Sequence, residues 1–341
     1  MPLFPNPLEA AAFRLSVVPP MLADYFGVLG FHALIAGARL GIFDALAARP
    51  QTAAHLSTTL GLDPRGTAAL MRALAGLGYV RERRGRYRLT RPSRAWLVTG
   101  APACLTEGLE FWARNAATYW TDLATTVRDG KPAVPFYAAT EADPELSRSF
   151  QAWTAALARH QAPAAAAAIP VPRGAEQVLD LGGGHAVHSR TLLTRHPGLS
   201  ATVLDLPQAL ASAEAHPRIT LRAGSFLDDD LGTGYDVVLM FNILHGLTDA
   251  EAALLLARVS AALRPGGVVV IGDQFRGPAP GRASRTLMDL LDLNYLIALS
   301  GRIRTFSEVK KLLVTAGFSR PRHRRPLRSP ATELAIATKR V

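Results

Sequence analysis

Cysteine is almost absent from this chain, since Cys104 is the only one among 341 residues. A single thiol forms no internal disulfide and no cysteine-rich zinc site, which excludes disulfide scaffolds and zinc fingers. Long apolar runs are missing as well. The most hydrophobic stretch, residues 28–47, is interrupted by His32, Arg39 and Asp44, so we expect no membrane span.

Lysine is also scarce: 38 residues are basic, and nearly all of them are arginine. The formal net charge is +11, and a GC-rich coding bias explains such a composition without selection for a polyanion. The arginines nevertheless fall into two clusters. A basic patch can bind nucleic acid, although a solvated basic face is the commoner outcome. The clusters contain Arg81, Arg83, Arg84, Arg86, Arg88, Arg91 and Arg94, and Arg320, Arg322, Arg324, Arg325 and Arg328.

The N-terminal segment, MPLFPNPLEAAAFR, has neither the basic start nor the apolar run of a secretory signal. With no span and no disulfide framework, this predicts a cytoplasmic protein. Hydrophobic residues make up 49% of the chain and charged residues 19%, as in globular proteins. The length is sufficient for two domains, each with its own core.

The first part of the chain predicts helices followed by a hairpin. Residues 33–46 predict one amphipathic helix, residues 52–56 a short second helix, and residues 64–77 a third. Thr52 and Asp63 are the expected N-caps. The segments YVRER and RYRLT alternate apolar and polar residues, which predicts a two-stranded hairpin. Three helices and a hairpin are typical of a winged helix.

A winged helix reads DNA through its third helix, which must present Arg, Lys, Asn or Gln to base edges. Here that helix has only Arg65 and Arg72 amid alanine and leucine. Such a face packs against protein better than it reads bases. We therefore predict that residues 1–102 form an interaction domain, and we do not expect nucleic acid as a partner.

Residues 103–168 predict mainly helical segments that connect the two domains. Aromatic residues are dense in this connector, which suits the wall of an aromatic-substrate pocket, although core packing is the commoner role. Residues 162–172, rich in alanine and proline, predict a hinge. The aromatic residues are Trp112, Tyr119, Trp120, Phe136, Tyr137, Phe150 and Trp153.

The pattern changes from Gln177 onward. QVLDL, ATVLDL, ITLRAG, YDVVLMF and GGVVVIGD are short apolar runs separated by segments of helix length. This alternation predicts an α/β domain over residues 169–341, with a doubly wound, Rossmann-like parallel sheet.

Glycines follow the first of these strands in the segment DLGGGHA, residues 180–186. Gly182, Gly183 and Gly184 let the backbone turn tightly and approach a ligand closely. Asp205 ends the second strand, where a carboxylate can accept hydrogen bonds from a ribose diol. Both features indicate an adenosine-containing cofactor. A nicotinamide site uses the same devices, but a third glycine over a pyrophosphate is missing, as expected for a cofactor without phosphates.

Five motifs in order carry a resemblance to a known family: VLDLGGGHA, VLDLP, AGSF, NILHGLTDAE and LRPGGVVVIGD. The sequence resembles the S-adenosylmethionine (SAM)-dependent O-methyltransferases of plant phenolic and bacterial polyketide pathways. The segments ARLGIFDALA and GRYRLT resemble that family's winged-helix dimerisation domain. The resemblance implies a homodimer that methylates a hydroxyl of a small aromatic substrate.

The resemblance also implies roles for individual residues. The glycines would line the methionine portion of SAM, Asp205 and Leu206 the ribose, and Ser225 and Phe226 the adenine. His245 matches the general base of the family, and Asp273 the acid that orients it. An imidazole titrates near neutral pH and is suited to take a phenolic proton, and a carboxylate partner fixes its tautomer.

Three positions depart from the family pattern: Gly246, Ser225 and Ile303. Ile303 matters most, because relatives usually place there a glutamate that backs the histidine. Some relatives with this change methylate by proximity alone, and others use SAM without transferring a methyl group.

Several alternatives stay open at this stage. They are C- or N-methylation, a non-methylating SAM-dependent enzyme, and a winged-helix nucleic-acid binder that senses a ligand. His185 is interpreted as a loop residue. Asp289 and Asp292 share a helix face, but no second cluster completes a metal site, so we expect no metal.

Overall fold

A computed structural model describes residues 19, 21–278, 281–326 and 332–340. The chain divides into two compact units, Met1–Ala113 and Arg114–Val341, and the division falls within one helix. Each unit is described by itself.

The first unit is helical and contains a small antiparallel hairpin. Thr52 and Asp63 cap their helices as predicted, because their side chains accept hydrogen bonds from the backbone N–H groups of His55 and Gly66. The elements are α1 (Met21–Arg39), α2 (Ile42–Ala48), α3 (Ala53–Leu60), α4 (Pro64–Gly76), β1 (Val80–Arg83), β2 (Arg86–Leu89) and α5 (Arg91–Trp96).

Two helix predictions in this unit are wrong in extent. The single helix over residues 33–46 is in fact α1 and α2, separated at Gly41, which adopts the left-handed φ of 70°. The helix predicted to end at residue 56 continues to Leu60, where left-handed Gly61 ends it.

Helix α1 presents one face to the unit core and leaves a large apolar face uncovered. Gly30 packs closely against Leu77, and Gly37 against Leu74 and Phe43. Among the described helices, α1 alone is long and apolar enough to cross a membrane by length and composition. Its outward side, the α1 apolar face, consists of the exposed residues Met21, Leu22, Tyr25, Phe26, Val28 and Leu29.

The hairpin has a basic outer face. Residue pairs Arg81–Arg88 and Arg83–Arg86 lie directly opposite each other, and all four side chains are exposed. Val80, Tyr87 and Leu89 point into the core. The first arginine cluster is therefore largely a solvent face.

The second unit begins with further helices before its sheet. The hinge predicted over residues 162–172 is wrong, because α9 continues to Ala168 with Pro163 inside it. Alanine surrounds this proline and favours the helix strongly. The helices are α6 (Thr106–Thr118), which spans the division, α7 (Leu123–Asp129), α8 (Phe136–Ala142) and α9 (Pro144–Ala168).

Seven strands form the sheet, in the order β5-β4-β3-β6-β7-β9-β8. The first five are parallel, as predicted, whereas β8 and β9 are antiparallel additions that the sequence patterns missed. Most of the second arginine cluster lies on β8, and Arg328 lies outside the described residues. The strands are β3 (Gln177–Leu181), β4 (Ser200–Asp205), β5 (Ile219–Ala223), β6 (Tyr235–Phe241), β7 (Leu263–Asp273), β8 (Phe318–Arg324) and β9 (Glu333–Lys339).

Helices cover both faces of this sheet, as in a doubly wound fold. From β3 the chain first adds β4 and β5 on one side and then crosses to β6 on the other. The carboxyl ends of β3 and β6 therefore flank the switch point where ligands bind in such sheets. The helices are α10 (Val187–Arg195), α11 (Pro207–Leu210), α12 (Asp249–Ala262), α13 (Arg282–Leu299) and α14 (Phe306–Thr315).

Candidate active site

The glycine turn after β3 forms one wall of the site. Gly182 and Gly184 adopt positive φ values of 65° and 30°. A Cβ at Gly182 would collide with Ile243, and one at Gly183 would lie 2.5 Å from the carboxyl carbon of Asp180. Only glycine fits this turn, and its bare backbone is open to a ligand.

Asp205 stands opposite this turn at the end of β4. Its Oδ2 accepts a hydrogen bond from the Gly184 N–H at 2.8 Å, and its Oδ1 accepts one from the Leu206 N–H at 2.7 Å. Burial raises the pKa of Asp205 to about 6. Each carboxylate oxygen keeps a second lone pair, so both can accept from a vicinal diol.

The glycine turn and Asp205 line one cavity of about 230 Å³. It lies at the carboxyl ends of β3, β4 and β6, at the switch point of the sheet. All the cofactor positions singled out from the sequence line it: Gly182, Gly183, Gly184, Asp205, Leu206, Ser225 and Phe226.

Helices α8 and α9 contribute to the same cavity, and sequence reasoning missed two of their residues, Gln151 and Thr154. Tyr137, Gln151 and Thr154 line it. Tyr137 as a residue is 49% exposed, but desolvation of its hydroxyl, and then the charge of Asp205, raise the pKa of its phenol to about 12, so the phenol stays protonated. The density of aromatic residues in this segment was the single signal for its role. No linear motif marks Gln151 or Thr154.

Two histidines lie at the glycine end of the cavity. His188 stacks on Phe241 with ring centroids 3.7 Å apart and planes 7° apart. Burial lowers the pKa of His188 to about 3 and that of His185 to about 4, so both imidazoles are neutral at pH 7. Both residues line the cavity, so His185, interpreted as a loop residue, is also part of its wall.

Asp180 lies directly beneath the glycine turn and is fully buried. Its Oδ2 accepts a 2.6 Å hydrogen bond from the Ser189 hydroxyl, whereas its Oδ1 has no partner among the described residues. Burial raises the pKa of Asp180 to about 7. A buried carboxylate with one free oxygen beside the turn fits a site that receives a positively charged ligand.

His245 and Asp273 form a second, separate part of the site. The short 3₁₀ helix Leu244–Gly246 carries His245, which is 8% exposed, and Asp273 ends β7. Asp273 Oδ1 lies 2.7 Å from His245 Nδ1, and its Oδ2 accepts the His245 backbone N–H at 3.0 Å. Ile243, Gly246 and Leu247 line the cavity, whereas His245 and Asp273 are not among its lining residues.

The chain on both sides of His245 is held tightly. Arg302 donates its backbone N–H to the His245 carbonyl oxygen at 2.9 Å. The buried guanidinium of Arg304 donates to the carbonyl oxygens of Leu244 and Leu247 at 2.5 and 2.7 Å. Gly301 packs against the His245 carbonyl so closely that a Cβ would overlap it. These contacts fix the histidine backbone.

Ile303 brings no carboxylate to His245. Its side chain is 3% exposed, and its backbone N–H donates to Asp292 Oδ1 at 2.6 Å. Asp273 is thus the one carboxylate that pairs with the imidazole in the described part of the chain. Asp289 and Asp292 are held by Arg276, and the described residues contain no cluster that could hold a metal ion.

Comparison with known proteins agrees with this geometry. The O-methyltransferase domain family matches residues 120–319, and the O-methyltransferase dimerisation domain family matches residues 25–99. The chain belongs to the SAM-dependent O-methyltransferase family. This O-methyltransferase is 32% identical to the acetylserotonin O-methyltransferase of Mus musculus, over 88% of this chain and 83% of that one.

A bacterial relative and a solved structure extend the comparison. The O-methyltransferase is 30% identical to the 3-hydroxy-5-methyl-1-naphthoate 3-O-methyltransferase of Streptomyces sahachiroi, over 89% of this chain and 90% of that one. Human N-acetylserotonin methyltransferase, solved in complex with SAM, shares the fold with a TM-score of 0.84. Its identity is 24%, and all of both chains is covered.

The residues of the cavity fit SAM. The open glycine turn suits its methionine portion, and Asp205 suits the ribose diol. SAM supplies a methyl group on a positively charged sulfur. The protein therefore needs only to bind it, to place a nucleophile beside it, and to remove a proton.

Proposed function

We propose that this O-methyltransferase methylates a hydroxyl of a small aromatic or polyketide-type natural-product intermediate, with His245 as general base. The observation that carries the proposal is the buried 2.7 Å pair of His245 Nδ1 and Asp273 Oδ1, in a segment whose residues Ile243, Gly246 and Leu247 line the cofactor cavity. A carboxylate can only accept a hydrogen bond here, so Nδ1 holds the proton and Nε2 is left as an acceptor.

The chemistry follows from this tautomer. The substrate hydroxyl donates to Nε2 and its proton moves there as the oxygen forms its bond to the methyl carbon. The carbon–sulfur bond breaks in line with that attack, and its electron pair stays on sulfur. Asp273 stabilises the imidazolium that results, and the closed cavity holds the two reactants in contact.

An aromatic substrate is supported by the cavity wall and by relatives. Phe150 and Tyr137 line the cavity, and flat apolar surfaces favour aromatic ligands. The Streptomyces sahachiroi relative acts on a hydroxynaphthoate, and another, of Streptomyces alboniger, on O-demethylpuromycin.

We also propose that residues 103–168 connect the dimerisation domain, residues 1–102, to the SAM-binding domain, residues 169–341. Tyr137 and Phe150 of this connector line the cavity, which supports its contribution to the pocket.

The test of this function is product analysis. The purified protein is incubated with SAM and a panel of phenols, anilines and activated ring carbons, and the methylated products are identified by mass spectrometry. We expect methyl ethers from the wild type and a loss of about 10²–10⁴ in kcat for His245→Ala, the usual contribution of a positioned base. Methylation at nitrogen or carbon alone, or no transfer to any acceptor, would contradict it.

We propose further that the protein is a homodimer whose interface includes the α1 apolar face. A dimerisation domain and six exposed apolar residues on one helix support this, since monomers seldom expose so large an apolar surface. Val28→Asp should shift sedimentation from dimer to monomer, whereas Leu254→Asp, an exposed position on α12, should not. A monomeric, fully active wild type would contradict the proposal.

The single free thiol also fits our proposal of a cytoplasmic location.

Nucleic acid is not part of this proposal. The exposed arginine pairs of the hairpin could hold phosphates, but the cofactor cavity and the matched families account for the fold without them. Salt-dependent binding of DNA at physiological ionic strength would reopen that alternative.

A further inference from the structure

We propose that Tyr295 is a positioning residue for His245, which holds the imidazole ring and stabilises its protonated form. This inference rests on the proposed function of His245. The inference concerns the Tyr295 side chain, whose role the sequence pattern around Ile303 did not explain.

The contact between the two rings is close and parallel. Tyr295 lies on α13, and its ring centroid is 3.8 Å from that of His245, with planes 12° apart. Asp273 fixes the imidazole edge through Nδ1, whereas Tyr295 covers one face. The hydrogen bond and the stack act in perpendicular directions, so together they restrict both translation and tilt of the ring.

A second anchor holds the tyrosine. Its hydroxyl donates to Gln274 Oε1 at 2.6 Å. Gln274 follows Asp273 directly, and its backbone N–H donates to Asp273 Oδ1 at 2.9 Å. The same carboxylate oxygen therefore contacts the imidazole and the residue that anchors Tyr295. The tyrosine, the histidine and the aspartate form one closed cluster.

Helix α13 is itself fixed at this point. Asp292, three residues before Tyr295 and on the same helix face, accepts the Ile303 backbone N–H and pairs with Arg276. The loop that lacks the glutamate is thus tied to the helix that carries the tyrosine. The loop thus contributes no carboxylate to His245; the charges it does carry are the cations of Arg302 and Arg304, which pair with Asp249.

The physical effect of the stack follows from the charge distribution of an aromatic ring. Its face carries partial negative charge and attracts a cation, most strongly when both are out of water. A protonated His245 beneath this ring face is therefore stabilised. A second carboxylate would stabilise it in the same way but more strongly. Burial, and then the charge of Asp273, raise the pKa of Tyr295, so the phenol stays neutral and acts as donor to Gln274.

The experiment compares three variants of the full-length enzyme by kcat, KM for both substrates, and the kcat–pH profile. Tyr295→Leu removes the ring, Tyr295→Phe keeps the ring without its anchor, and the double variant Tyr295→Leu with Ile303→Glu restores a carboxylate. Arg285→Ala, an exposed position on the same helix, is the matched control. Cofactor affinity and thermal unfolding are measured for each variant.

We expect Tyr295→Leu to lower kcat by about 3–30-fold, the range of a desolvated cation–aromatic contact. Its acidic kcat–pH limb should move to lower pH, because the protonated base has lost a stabilising face, while SAM affinity stays unchanged. Tyr295→Phe should lose about 2–5-fold without moving the limb, and the double variant should recover most of the activity.

Two results would overturn the inference. One is a Tyr295→Leu enzyme with wild-type kcat and pH profile, beside a His245→Ala enzyme that is inactive. The other is a loss of activity that appears in KM alone and is not rescued by Ile303→Glu, as for a residue that only shapes the pocket. If His245→Ala itself retains wild-type kcat, the proposed function fails and the inference fails with it, which distinguishes the two cases.

Discussion

The two halves of the candidate active site are built in different ways. The cofactor half is mostly backbone: three consecutive glycines and one carboxylate that holds their turn through the Gly184 N–H. The catalytic half is made of side chains from separate segments, with His245 on a 3₁₀ helix, Asp273 on β7 and Tyr295 on α13. Substitutions in the first half should therefore change affinity, and substitutions in the second should change rate.

The largest effect is expected from Asp273→Asn in the catalytic half. An amide can donate to Nδ1 and favour the tautomer with the proton on Nε2, which cannot then accept the substrate proton. We predict a loss of about 10²–10⁴ in kcat with SAM affinity within twofold. Single-turnover kinetics and calorimetry measure the two quantities. A loss of SAM affinity instead would contradict the expectation that the catalytic half affects rate and the cofactor half affects affinity.

Asp205→Ala is the corresponding change in the cofactor half. Loss of hydrogen bonds to a charged group should weaken SAM binding by about 1–3 kcal/mol, with kcat at saturation little changed. Asp230→Ala, an exposed aspartate, is the control. Because the pKa of Asp205 is raised to about 6, wild-type affinity should also fall as the pH drops through that value and the carboxylate is neutralised. Equal affinity in the variant would place the ribose elsewhere.

Asp180 should make the stability of the cofactor-free protein depend on pH. Its folded-state pKa of about 7 lies above the ordinary aspartate value of 3.8, so between these two pH values the folded protein retains a proton that the unfolded chain has lost. The free energy of unfolding should therefore fall as the pH rises from 3.8 to about 7, by on the order of 1–3 kcal/mol.

Denaturant titrations at about pH 5 and about pH 8 measure this difference. Asp180→Asn should remove most of it, because an amide does not ionise, whereas Asp205 contributes in the same direction over a narrower window. Parallel pH curves for the wild type and Asp180→Asn would show that the buried carboxyl has an ordinary pKa.

The smallest effect is expected at Ala186, which caps α10 with a left-handed φ of 58°. Ala186→Gly relieves backbone strain but removes a fully buried methyl group, so the two terms, each of about 1 kcal/mol, should nearly cancel. Gly184→Ala is the contrast, since its Cβ would lie 2.8 Å from Gln151 Oε1. Thermal unfolding with and without SAM measures both effects. Ala186→Gly should keep the stabilisation by SAM, whereas Gly184→Ala should lose it.

The residues of the cofactor half could be singled out from sequence patterns because they lie in one contiguous turn and at the end of the next strand, and the structure brings them to one cavity. Gly182, Gly183, Gly184 and Asp205 follow their strands directly, and strand ends meet at one edge of a parallel sheet. Thr52 and Asp63 were recognised as caps for the same reason, since a cap acts on the backbone two or three residues away.

The remainder depends on contacts between distant residues. Tyr137 and Gln151 reach the cavity from helices α8 and α9, and no spacing in the sequence relates them to β3. The stack of Tyr295 on His245 joins positions 50 residues apart along the chain. The hinge prediction is wrong over residues 162–168, because the alanines around Pro163 keep the helix intact, and only residues 169–172 are irregular.

The claim that His245 removes the substrate proton is tested most directly by the activity lost in His245→Ala across phenols of increasing acidity. A base contributes most where the hydroxyl holds its proton most firmly. We predict a loss near the upper end of about 10²–10⁴ in kcat for weakly acidic phenols, and a much smaller loss for those already ionised at the assay pH. A loss that is the same for all phenols, or no loss at all, would contradict the account.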